Sequence, residues 1–112
     1  MNQQLHAQVS LALAICGHDG LISDAEIAYL RSTYCDTGRL TLSEMEKIID
    51  AFFGEEKSLE ELFFAVDDID ITLQISEKAA SVDGLDLKEN FALQRCYRLR
   101  EEKFSKGEPY AS

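Results

Sequence analysis

The sequence predicts an all-α fold, a compact bundle of about six helices that contains two pseudo-repeated helix-Asp-Gly-helix hairpins. Three observations predict it: helix-start signatures at regular intervals, apolar residues at helical spacing, and an internal repeat. Four stretches place a capping residue three positions before Glu: Ser23-Asp24-Ala25-Glu26, Thr41-Leu42-Ser43-Glu44, Ser58-Leu59-Glu60-Glu61 and Asp86-Leu87-Lys88-Glu89. In each, the first side chain can accept an orphan amide N–H of the helix start, and the Glu can reach back to the cap. Helix starts are therefore expected near Ser23, Thr41, Ser58 and Asp86.

The apolar spacing supplies the elements in order. Leu5, Val9, Ala12, Leu13 and Cys16 mark the buried face of a first helix, because residues three and four apart share one side. Ile27, Leu30 and Tyr34 mark the second, and Met45, Ile48, Ile49, Phe52 and Phe53 the third. The segment 59–82 is apolar on several faces, with Leu62, Phe63, Val66, Ile69, Leu73, Ile75 and Ala79. Asp67-Asp68-Ile69-Asp70 offers a cap near its middle, so it is read as two helices with a break there. Its apolar character predicts a central helix wrapped by the others. The last helix carries Phe91, Leu93, Cys96, Tyr97 and Leu99, and Pro109 lies beyond it. No alternating strand pattern competes with these helices.

Length makes this one domain, 1–112, with a core over about 5–100 and a polar tail over about 105–112. A chain of this size buries roughly two-thirds of its unfolded surface, enough to fold without disulfide or metal. A hydrophobic share of 46% with 29% charged residues argues against disorder. With 21 acidic against 11 basic residues, the net charge of -10 argues against nucleic-acid binding, which depends on neutralising phosphates. The charge is uneven. Residues 55–70 hold seven acids and only Lys57, whereas the last helix holds Arg95, Arg98, Arg100, Lys103 and Lys106 against Glu101 and Glu102. These are read as two solvated faces, or, functionally, as an acidic surface for a cation or a basic partner. Cys16, Cys35 and Cys96 form an odd set without a C-x-x-C, and are expected as free thiols in a reducing cytosol. No run approaches the ~18 apolar residues of a membrane span, and residues 1–6 lack the basic start of a signal peptide. The expected location is the cytoplasm, with any membrane contact peripheral at its inner face.

The internal repeat is the most informative feature. Ile15-Cys16-Gly17-His18-Asp19-Gly20-Leu21 leads to the cap Ser23 and Glu26, and Ala79-Ala80-Ser81-Val82-Asp83-Gly84-Leu85 leads to the cap Asp86 and Glu89. With one residue deleted from the second turn, Leu30 falls on Leu93 and Tyr34 on Tyr97. Gly20 and Gly84 are expected to end their helices in a left-handed conformation. A helix leading into Asp19-Gly20-Leu21-Ile22-Ser23-Asp24-Ala25-Glu26, with a second helix-Asp-Gly unit about sixty residues later, resembles the tellurite-resistance TerB family. It is also similar to the N-terminal domain of a membrane-anchored DnaJ-like co-chaperone. The match spans about residues 5–100; the second turn departs from the pattern by being one residue short. The resemblance implies a non-enzymatic interaction module acting with a protein partner, in a membrane-associated stress-resistance assembly.

The candidate sites follow from the turns. If the hairpins pack with a two-fold relation, Asp19, Glu26, Asp83 and Glu89 converge at one end and offer oxygens to a divalent cation. The competing reading, which is favoured, has both Asp bonding local amides and both Glu serving capping boxes. An EF-hand is disfavoured. With Gly20 at the invariant glycine, Ile15 and Gly17 stand where the first carboxylate ligands belong. Zinc on Cys16, His18 and Cys35 or Cys96 is disfavoured because the spacing matches no ligand pair. No phosphate loop or nucleophile-base pairing stands out, so neither catalysis nor an organic cofactor is expected.

Overall fold

A computed structural model describes residues 3–17, 22–55, 57–82 and 87–106. Those residues form six helices and no strand: α1 (Gln3–Cys16), α2 (Asp24–Cys35), α3 (Leu42–Gly54), α4 (Leu59–Phe64), α5 (Ile69–Ala80) and α6 (Leu87–Lys106). Three of the expected capping boxes are formed in full. Ser23, Thr41 and Ser58 each accept from the amide three residues on, and Glu26, Glu44 and Glu61 each accept from the cap amide. Helix α6 starts one residue after Asp86, which itself lies outside the described residues, as do Asp19, Gly20, Asp83 and Gly84.

The break in 59–82 falls where the aspartates stand, but for another reason than a side-chain cap. Asp68 occupies the N-cap of α5 and makes no side-chain cap bond. The Gln4 amide of α1 serves the turn instead. It donates to the Ala65 carbonyl at 3.2 Å and accepts from the Asp67 amide at 2.8 Å. Two glycines have specific work. A Cβ on Gly17 would lie 2.6 Å from Ile22 Cγ1, so glycine leaves room for the Ile22 side chain against the end of α1. Gly38, with φ +80, is the left-handed glycine among the described residues; it reverses the chain after α2 and brings Leu40 N–H to the Tyr34 carbonyl at 2.9 Å.

The central helix is α1 rather than one from 59–82. It packs against α3, α4, α5 and α6, and Gln8 through Leu13, Ile15 and Cys16 are buried. The internal repeat explains the difference. Val9, Ala12, Ile15 and Cys16 match Leu73, Ser76, Ala79 and Ala80, all of them buried. Ser10 and Leu13 are buried too, while their counterparts Gln74 and Glu77 are exposed. A further polar face thus keeps α5 at the surface, and its absence lets α1 be enclosed.

Two apolar clusters meet along α1. The first joins Val9, Leu13 and Cys16 to Leu30, Tyr34, Met45, Ile48 and Ala80; the second joins Leu11 and Ile15 to Phe63, Leu73, Leu93, Cys96 and Leu99. Phe52 packs against both. Helices α1 and α5, the first of each repeat unit, make the most extensive pairing; α2 packs on α5, and α6 packs on α4, α5 and, less extensively, α1. Leu30 and Leu93 are both buried, one in each cluster. Tyr34 is fully buried but Tyr97 only half-buried, so the pairing is closer at the leucines than at the tyrosines. Phe53 and Phe91, expected on apolar faces, are instead exposed at 61% and 59%.

Candidate functional site

Of the four proposed cation ligands, Glu26 alone has a described side chain. It is 4% exposed, and its carboxylate accepts from the Ser23 amide at 2.9 Å. That is the capping role. Asp19 and Asp83 lie outside the described residues, and Glu89 stands in the first turn of α6 with its side chain outside them too. Among the described residues no three His, Cys, Asp or Glu side chains group as a metal site. Cys16 and Cys96 belong to different clusters, and Cys35 packs at the edge of the cluster that holds Cys16; His18 lies outside the described residues.

Two of the thiols, Cys35 and Cys96, are held in the protonated form. Burial pushes the Cys96 thiol up to about 12, with Glu60 adding to the rise and Arg95 opposing it. Burial and then Asp36 raise Cys35 as well. A protonated thiol neither attacks nor ligates. Burial likewise pushes the Tyr34 hydroxyl up to about 12 against the pull of Arg39, and that hydroxyl donates to Gln8 Oε1 at 3.1 Å. This is a core polar contact between α1 and α2.

The two charged regions meet within the chain. Arg95 of α6 pairs with Glu60 of α4 at 3.4 Å, and Arg100 of α6 pairs with Asp70 of α5 at 2.5 Å. They are not two independent solvated faces: part of the acidic segment already has its basic partner. Asp67 and Asp68, both exposed, make no ion pair among the described residues.

A groove of about 300 Å³ opens between α1, the end of α3 and α4. Helix α1 contributes Gln3, His6, Ala7 and Ser10, a strip at the three- and four-residue spacing of one helix side. Phe52, Leu62 and Ala65 complete an apolar floor, and Glu55 and Lys57 stand at the mouth, paired at 3.4 Å. The size is at the small end of ligand sites and has room for one or two large side chains. Sequence reading missed this groove, because its lining comes from three elements that only packing brings together. The long polar strip of α1, Gln3 and His6 with small Ala7, was its one local trace. No family model, curated protein or solved structure matches the chain.

Proposed function

We propose that this chain is a non-enzymatic TerB-like interaction module, working in bacterial tellurite or other stress resistance. It would act in the cytoplasm with a protein partner, peripheral to the inner membrane. The observation that carries the reading is the pairing of the first helices of the two repeat units, α1 against α5, with α2 and α6 both packed on α5. That arrangement is what the repeated Asp-Gly units, resembling the TerB pattern, lead one to expect. An interaction role is further supported by exposed Phe53, Phe64 and Phe91 on an otherwise acidic surface. No helix among the described residues is long and apolar enough to cross a membrane, which suits a peripheral association.

The test is deletion of the chain from the bacterium that encodes it. Survival under tellurite, oxidants and DNA damage should fall, and should return with the intact chain supplied in trans. Unchanged survival under all these stresses would refute the stress-resistance reading.

A further inference from the structure

We infer that the groove between α1, α3 and α4 receives two apolar side chains of a basic amphipathic helix from a protein partner. The inference deepens the interaction-module reading and rests on it. Ala7, Phe52, Leu62 and Ala65 form the apolar floor, in a space of about 300 Å³. Along α1 the groove runs from Gln3 to Ser10, about two helical turns or roughly 10 Å. That length matches anchors two turns apart, at i and i+7, on a docked helix, one of the spacings by which amphipathic helices seat in grooves. Phe53 enlarges the apolar surface: its ring lies 5.3 Å from that of Phe52 and the residue is 61% exposed.

Charge selects the occupant. Glu55 and Lys57, the charged pair that lines the groove, offset one another, and the acids left over are exposed Asp67 and Asp68, which follow the lining residue Ala65. A helix flanked by Lys and Arg would meet Asp67 and Asp68 beyond the C-terminal end of α4, whereas an acidic helix would be repelled. A second copy of this chain fits less well. Its basic helix is α6, and Arg95 and Arg100 of that helix are engaged with Glu60 and Asp70 of their own chain.

The test uses a fluorescein-labelled amphipathic peptide of roughly 18 residues, about five turns, with Leu on one side and Lys on the flanks. A peptide with Glu replacing Lys and a scrambled peptide of equal charge are the comparisons. Fluorescence anisotropy with the full chain should show saturable binding of the Lys peptide, weakening as salt rises. The Glu and scrambled peptides should bind at least about tenfold more weakly, a difference of about 1.4 kcal/mol. Ala65→Phe, which fills one end of the groove from an exposed position, should reduce Lys-peptide binding by a similar factor with the helical circular dichroism unchanged. Should that variant lose helicity, Phe53→Ser and Asp67→Lys carry the same expectation. Equal binding of all three peptides, or full binding by the folded variants, would overturn the proposal. So would sedimentation showing a dimer of the wild-type chain that Ala65→Phe dissolves, because the occupant would then be a second copy. Each of these failures would leave the survival experiment untouched, so the groove and the module are judged separately.

Discussion

At the scale of single residues, buried polar groups decide more than exposed charges do. Glu26 is enclosed because its carboxylate is satisfied by the Ser23 amide, and a buried group so paired no longer pays the cost of desolvation unaided. Asp19, at the Asp-Gly turn, is the position where the structural and cation readings part. Asp19→Asn keeps an acceptor oxygen and removes the charge. It should cost less than about 1 kcal/mol, the scale of a cap substitution. Millimolar calcium should not raise the melting temperature of the wild-type chain. A clear rise that Asp19→Asn abolishes would establish a cation site, since a ligand bound to the folded state stabilises it by mass action. Tyr34 carries a different expectation. Its hydroxyl, ordinarily near 10.0, is pushed up to about 12 by burial, so the folded chain holds a proton the unfolded chain has lost. The stability this contributes is complete below about pH 10 and is lost as pH rises through about 12. Cys96 acts in the same direction from its ordinary 9.0. Melting temperature should therefore fall on the alkaline side of about pH 9. Tyr34→Phe should make that fall shallower, while costing about 1–3 kcal/mol at neutral pH because Gln8 loses its buried partner.

At the scale of elements, the helices begin where their own sequence can satisfy their first amides. Ser23, Thr41 and Ser58 each do so within four residues, which is why those starts are legible without tertiary information. The capping bonds are not equal, however. The Ser23–Glu26 bonds are part-buried and the Thr41–Glu44 bonds exposed. Across a range of about 0.5–2 kcal/mol for such substitutions, Thr41→Ala should fall near the low end and Ser23→Ala near the high end, as measured by urea denaturation. The bond from the Thr41 backbone also holds the Glu44 carboxyl below its usual range. Its stabilising contribution is present at neutral pH and is lost as pH falls through the folded-state value. The start of α5 shows what local sequence misses. Four residues rich in Asp suggest a side-chain cap, yet the turn is closed by Gln4, whose partners Ala65 and Asp67 lie about sixty positions away. A contact so distant leaves no local pattern.

At the scale of the whole molecule, α1 and Phe52 join two clusters that α2 and α6 would otherwise close separately. Helix α5 likewise serves both, with Ala80 in one and Leu73 in the other, and such sharing should make the chain unfold as a unit, as small domains usually do. Cys16 and Cys96, each fully buried and one in each cluster, are natural probes. Their reactivity toward a thiol reagent should rise at the same urea concentration. Separated midpoints would show that the clusters melt independently. Phe52→Ala should lower both midpoints together, and because Phe52 is only half-buried the loss of stability should fall below the about 3–5 kcal/mol of a fully buried ring.

The sequence by itself determined the class and number of helices, the capped starts of α2, α3 and α4, the break near Asp68, the buried Cys16 and Cys96, and Leu30 and Leu93 as core positions. Caps and helical periodicity act over a few residues, so the chain carries them openly. Tertiary structure alone decided which helix is central. Val9, Ile15 and Cys16 of α1 and Leu73, Ala79 and Ala80 of α5 look alike along one face, and only packing against α3 and α4 shows that α1 is enclosed on another. The same holds for Phe53 and Phe91, whose helical spacing places them near apolar stripes but whose rings face outward. It holds for the pairing of Glu60 with Arg95 and for the groove built from α1, α3 and α4. Each of these depends on how far and at what angle neighbouring helices pack, and that geometry arises from the sum of many apolar contacts rather than from any local motif.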